Sequence, residues 1–306
     1  MQGIWLTNQV KRESQSWLPG FIALGIIWGS SFLFIKWGLE SLTALGVAFW
    51  RCAIGAFALL LFSIATRSAL PKKLIHWVHI SVVALLLNAL PAYLFGLGET
   101  HVTSVMAGML NATTPLMTVL VISVAFSDQR INRNQAIGLA IGIVGILLVT
   151  GALNNLSHND LKGISALLLA TFCYGISFPY SKKFVSNLSY SSTTLATAQV
   201  SAAAAMLLPF VLIHGDKTRS WSHTSLWAMI ALGALGTGFA YILNFRNVRL
   251  AGSTVASTVT YITPVVATVL GICFLDEPFK YVQVLGGFLV LLSAALVQKR
   301  IQLLKV

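Results

Sequence analysis

Apolar runs of about 20 residues, the length a bilayer span requires, recur from one end of this chain to the other with only short polar breaks between them. Nothing else in the sequence constrains the fold as much. A segment crossing lipid must satisfy its backbone polar groups internally, so each run predicts a helix. The 306 residues are 57% hydrophobic and 9% charged, whereas a soluble domain carries about 25% charged residues. A water-soluble fold is excluded, and the sequence predicts an all-α polytopic membrane protein. Ten transmembrane helices are expected, over about 18–37, 44–65, 75–97, 102–126, 134–152, 162–181, 191–213, 225–245, 251–275 and 281–298. The first is read as an uncleaved span, because no small-residue cleavage pattern follows it.

Basic residues mark the cytoplasmic side of a membrane protein. With the N-terminus inside, the inner segments hold Lys11, Arg12, Arg67, Lys72, Lys73, Arg130, Arg133, Lys182, Lys183, Arg246, Arg249, Lys299, Arg300 and Lys305. The outer segments hold only Lys36, Lys162, Lys217, Arg219 and Lys280. Both termini are therefore expected in the cytoplasm, the chain lying multi-pass in the cell (inner) membrane. The net charge of +12 is then mostly topology signal plus attraction to anionic lipid, and no nucleic-acid partner is expected. Glu40, Glu99, Asp160, Asp216, Asp276 and Glu277 fall on the outer side.

The chain writes the same sentence twice. "WGSSFLFIK" from Trp28 to Lys36 matches "YGISFPYSK" from Tyr174 to Lys182 at an offset of 146. "AYL" at Ala92–Leu94 matches "AYI" at Ala240–Ile242, offset 148. "VTSVMAG" through "TTP" matches "AGSTVAS" through "ITP" at an offset of 149, which pairs Ser104 with Ser253, Pro115 with Pro264, and Asp128 with Glu277. Five spans per half is an odd number, so the second half enters the membrane from the opposite side. This is an inverted-topology repeat, a plan common among secondary transporters.

The WGSSF…K motif, the A-S…T-P fourth and ninth helices, the acid-ended turn after them and the glycine-bearing fifth and tenth helices resemble the EamA family of the drug/metabolite transporter superfamily. The resemblance covers about residues 19–150 and 163–298, each a five-helix repeat. It implies two bundles around a central cavity, peripheral fifth and tenth helices, and transport of small metabolites, often amino acids, with export favoured. The first half departs from the pattern: "SDQRINRNQ" stands where the second half has Glu277–Pro278.

Polar residues inside spans are candidates for a substrate pathway. Asn111 and Thr114 on the fourth span, and Thr260 and Thr263 on the ninth, are read either as cavity lining or as packing hydroxyls bonded to their own backbone. Pro115 and Pro264 each remove a helix hydrogen bond; they mark helix breaks at a binding site or tolerated kinks. Trp28 with Tyr174, and Tyr93 with Tyr241, are repeat-matched aromatic candidates, and Asn88, Gln199 and Asn244 are amide candidates. Arg51 lies about 10 Å inside its span at ~1.5 Å per residue. It could clamp a substrate carboxylate by a bidentate pair, snorkel outward, or pair with Glu40 or Glu99. Lys36 and Lys182 read chiefly as interfacial anchors, and Asp276–Glu277 as the end of the ninth span.

Other chemistry is not written here. No Gly-Lys dipeptide exists, so no P-loop is expected, and no cofactor. Cys52, Cys173 and Cys273 are scattered in apolar runs, giving neither disulfides nor a metal site. His76 and His79 read as solvated side chains at an interface. No catalytic residues are assigned and no enzyme activity is expected. A carboxylate proton relay would need Glu40 or Glu99 near the outer rim, so facilitated transport or exchange is favoured. The expected partners are a small-molecule substrate and the bilayer. The alternatives are a nucleotide-sugar or organic-phosphate exchanger, which would want several buried cations, and an enzyme on lipid-linked substrates. Gly138, Gly142, Gly286 and Gly287 would suit a dimer face or intrachain packing, leaving the oligomeric state open.

Overall fold

A computed structural model describes residues 2–125, 132–152, 158–217, 220–251, 257–278 and 280–298. Asp128, Arg130, Arg219, Ser253, Lys299, Arg300 and Lys305 lie outside the described residues, and no side chain is described before residue 17. The helices are α1 Gln2–Leu39, α2 Ala44–Ala65, α3 Leu74–Ala84, α4 Leu90–Glu99, α5 Ser104–Asn111, α6 Thr114–Ala125, α7 Arg133–Thr150, α8 His158–Phe184, α9 Ser192–His214, α10 His223–Ile230, α11 Ala240–Ala251, α12 Thr263–Leu275 and α13 Tyr281–Val297. Among the described residues, nine helical stretches are long and apolar enough to cross a membrane, and Tyr281–Val297 is a shorter apolar helix of 17 residues.

The helix starts are set by side chains that satisfy otherwise orphaned N–H groups. Thr43 accepts from the Gly46 amide, Ser191 from Thr194, and Ser222 from Ser225. Asn132 and Gln135 form a reciprocal capping box. Large apolar side chains point outward, among them Phe57, Leu212, Ile213 and Phe288, each more than 60% exposed. In lipid such residues gain nothing by burial, so small and hydroxyl residues fill the helix contacts instead.

Two features are not legible from span counting. The third span changes to π-helix over Leu85–Ala89, and the eighth does so over Ala231–Phe239. These segments correspond at the repeat offset of 148. The prolines, by contrast, sit where a proline is tolerated. α5 ends at Asn111 and α6 restarts at Thr114, so Pro115 falls in a first turn. A 3₁₀ segment, Ser257–Tyr261, precedes α12, and Pro264 again falls in a first turn. A first-turn N–H needs no helical partner. The carbonyls left over are taken by the preceding threonines: Thr114 Oγ1 donates to Asn111 O at 2.8 Å, and Thr263 Oγ1 to Thr260 O at 3.1 Å.

The peripheral helices α7 and α13 pack on each other. A Cβ at Gly145 would lie 2.9 Å from Gly286 O, and one at Gly286 would lie 2.8 Å from Gly145 O, so the glycines serve this close intrachain approach. Gln135 Nε2 donates to Val297 O and Gln283 Nε2 to Val149 O, both at 3.2 Å. Each bond maps onto the other when residues are shifted by 148, the reciprocity a pseudo-two-fold axis requires. His76 and His79 differ from expectation: rather than being simply solvated, their Nδ1 atoms hydrogen-bond the hydroxyls of Tyr190 and Tyr180 at 2.8 Å.

Candidate functional site

Between the two halves lies a cavity of about 620 Å³. Trp28, Thr114, Pro115, Phe178, Asn244 and Thr260 line its walls, with Lys182, Lys183, Ser186, Asn187 and Gln298 toward the ends of their helices. It runs into a smaller space of about 70 Å³ that shares Trp28, Leu87, Phe178 and Thr260. Ser31, Phe32, Arg51, Phe95, Asn111, Tyr174 and Tyr241 complete this deep pocket.

Among the described residues, Arg51 is the one charged side chain lining the deep pocket. Its Nε donates to Thr237 Oγ1 at 3.2 Å, and that hydroxyl donates to Leu232 O at 3.0 Å. Thr237 lies in the second π segment. Thr237 is the only hydrogen-bond partner of Arg51 among the described residues, and neither Glu40 nor Glu99 pairs with it. The two terminal nitrogens of the guanidinium carry no hydrogen bond among the described residues. The pocket wall is aromatic. Trp28 and Tyr241 meet edge-on at 6.0 Å, Phe95 and Tyr174 lie 5.8 Å apart, and Tyr174 and Phe178 6.3 Å. Tyr241 is fixed by donating to Leu87 O, in the first π segment, at 3.1 Å.

The other candidates stand behind this wall. Gln199 Nε2 donates to Asn88 Oδ1 at 2.6 Å, and both residues are buried. Thr263 is fully buried and accepts from Asn111 Nδ2 at 3.4 Å, bracing that amide from the second half. Tyr93 is half-buried among apolar neighbours, and Pro264 is buried. Span-by-span reasoning did not single out Phe32, Phe178, Phe95 or Thr237. The repeat carried part of that signal, since Phe32 and Phe178 are matched at offset 146. Thr237 carried none, because its role depends on an arginine 186 residues away.

Beyond the deep pocket the two halves close on each other. Lys36 Nζ donates to Glu99 O at 2.5 Å and to Val102 O at 2.8 Å, binding the break between α4 and α5. Glu277 accepts the Ser104 and Val105 amides at 2.7 and 2.9 Å, capping α5. Asp276 makes this possible: its left-handed backbone, φ 50°, turns the chain out of α12 so that Glu277 folds back. Across the halves, Trp50 Nε1 donates to Asp216 Oδ2 at 2.7 Å and Thr43 N to Asp216 O at 3.0 Å. Gly46 packs so closely on Asp216 O that no side chain would fit there. Glu99 is 1% exposed, and neither carboxyl oxygen has a hydrogen-bond partner among the described residues.

The comparisons with known proteins agree with this geometry. The family model of the EamA-like transporter family matches residues 15–151 and 161–298. The chain belongs to that family. YdfC, an uncharacterized transporter of Bacillus subtilis (strain 168), is 26% identical over 277 residues, covering 90% of this chain and 89% of its own. YedA, an uncharacterized inner membrane transporter of Escherichia coli (strain K12), is 28% identical over 281 residues, covering 90% and 88%. A solved crystal structure shares the fold, with a TM-score of 0.63 at 18% identity over 92% of this chain and 98% of that one. This EamA family member is accordingly a multi-pass integral membrane protein of transporter type. Among the described residues, no group of three His, Cys, Asp or Glu side chains could hold a metal ion.

Proposed function

We propose that the protein is a secondary transporter, working as an exporter, of small carboxylate-bearing metabolites. It acts by alternating access between two inverted five-helix repeats, residues 19–150 and 163–298. The observation that carries this reading is Arg51: a guanidinium whose two terminal nitrogens carry no hydrogen bond among the described residues, at the deep end of a cavity that is shut beyond it. With both termini cytoplasmic, the cavity opens inward and loads from the cell. An organic-phosphate exchanger is the second reading, favoured by Lys182 and Lys183 along the wider cavity.

The repeat supplies the opposite state. Lys36 now docks on the carbonyls of residues 99 and 102. Its counterpart Lys182 has no partner for its Nζ among the described residues, and the matched carbonyls are those of Asn247 and Ala251. In the outward-open state Lys182 docks there and Lys36 lets go. The test is counterflow in proteoliposomes preloaded with phenylalanine or phenylacetate, with labelled solute outside. The wild type should show transient accumulation of label, and Arg51→Gln should lose about 90% of it, as expected for a lost bidentate pair. Identical label entry into protein-free liposomes for both solutes would refute the reading.

A further inference from the structure

We infer that the deep pocket is built for an anionic carboxylate carrying a flat apolar body, and discriminates against solutes with a free ammonium group. This rests on the transport reading for its purpose, but not for its evidence. The charged side chains lining the deep pocket and the wider cavity are Arg51, Lys182 and Lys183, all basic. Among the described residues, no acid lines either space. Potential in a low-dielectric cleft of one sign concentrates ions of the other, so the whole approach draws anions and repels cations.

The deep pocket then sorts among anions. Arg51 offers two unbonded terminal nitrogens in a fork that fits a carboxylate. Its Nε is already committed to Thr237, which fixes the plane of the fork. Around it stand Trp28, Phe95, Tyr174, Phe178 and Tyr241. Such a wall stabilises an apolar ring and offers little to a second polar group. A zwitterionic amino acid placed with its carboxylate on Arg51 would desolvate its ammonium beside that wall. Partial compensation is available from ring faces or from Asn111 Oδ1, but no carboxylate is there to pair it. Glu99, the buried acid that lies within electrostatic reach of Arg51, does not line the pocket. A molecule with the same ring and carboxylate but no ammonium avoids that desolvation.

The test is calorimetric titration of the protein in nanodiscs at neutral pH with phenylacetate, phenylalanine, phenethylamine and phenyl phosphate. Phenylacetate should bind at least about 10-fold more tightly than phenylalanine, and phenethylamine should not bind, because burying an unpaired ammonium is costly. Arg51→Gln should weaken phenylacetate by about 30-fold or more, with Arg51→Lys recovering part of the loss, because lysine keeps the charge but not the fork. The wild-type series decides the matter even if an Arg51 variant does not fold. The inference is overturned if phenylalanine or phenethylamine equals phenylacetate, or if none of the four binds at about 10 mM, where even a weak site would register. Tighter binding of phenyl phosphate overturns the carboxylate assignment in favour of phosphate. Phenylacetate binding without counterflow of any solute would sink the transport reading and leave this one standing; phenylalanine counterflow without phenylacetate binding would do the reverse.

Discussion

Lys36 and Lys182 occupy the same place in the two repeats and do opposite things. Lys36 is docked on two main-chain carbonyls at a helix break. Lys182 is exposed along the wider cavity and bonds nothing with its Nζ among the described residues. Sequence reading treats both as anchors at the membrane surface. The two matched residues thus differ in setting: one is docked at the closed end, the other is free along the cavity. On the proposed alternating-access reading, each would report the state of its own gate.

The largest effect that would test this contrast comes from Lys36→Ala. It removes two charge-assisted bonds of about 1.5–3 kcal/mol each, enough to shift a two-state balance by well over tenfold. Spin labels placed by Thr100→Cys and Lys217→Cys, in a background lacking the three native cysteines, should show a lengthened distance across the shut end. Lys182→Ala should leave that distance unchanged and depress turnover, since it removes the docking group of the other state. Equal responses from the two variants would end the comparison.

Glu277→Ala comes next. It removes the acceptor of the first two amides of α5 while the Thr103 cap stays, with an expected cost of about 1–2 kcal/mol. Amide hydrogen exchange should accelerate at Ser104 and Val105 before other parts of the helix. Unchanged protection at those two amides would mean that the carboxylate does not hold the shut end.

The smallest effect tests the symmetry itself. Gln135→Ala and Gln283→Ala each remove one reciprocal bond between α7 and α13, at about 1 kcal/mol, and Gln135→Ala also removes the Oε1 that accepts the Asn132 amide in the capping box. Thermal unfolding should therefore show a loss of about 1 kcal/mol for Gln283→Ala and about 2 kcal/mol for Gln135→Ala. No loss in Gln283→Ala would mean that the two-fold relation is not energetic.

Much of this was legible beforehand, for physical reasons. Hydropathy marks spans because lipid admits only internally bonded backbone, and the offsets 146, 148 and 149 lead to the reciprocal glutamine bonds. Arg51 stood out because a charge inside a span demands a reason. The π segments were not legible, since nothing in "LLLNA" or "ALGALGTGF" marks an i→i+5 turn without its neighbours. The hydroxyls of Thr114 and Thr263 could be read two ways, and their bonds to backbone carbonyls answer only where they point in this state. Asn88 and Gln199 looked like pathway amides individually; their partnership across 111 residues is a tertiary fact.

Glu99 remains, shut away at the sealed end with both oxygens unbonded among the described residues. A buried polar group without a partner raises the energy of the state that buries it. On the proposed alternating-access reading, opening that end would return the carboxyl to water and recover the difference. The closure that Lys36 and Glu277 hold together would then contain a group that pushes against it, and that carboxyl would limit how deep the resting well of the closed form can be.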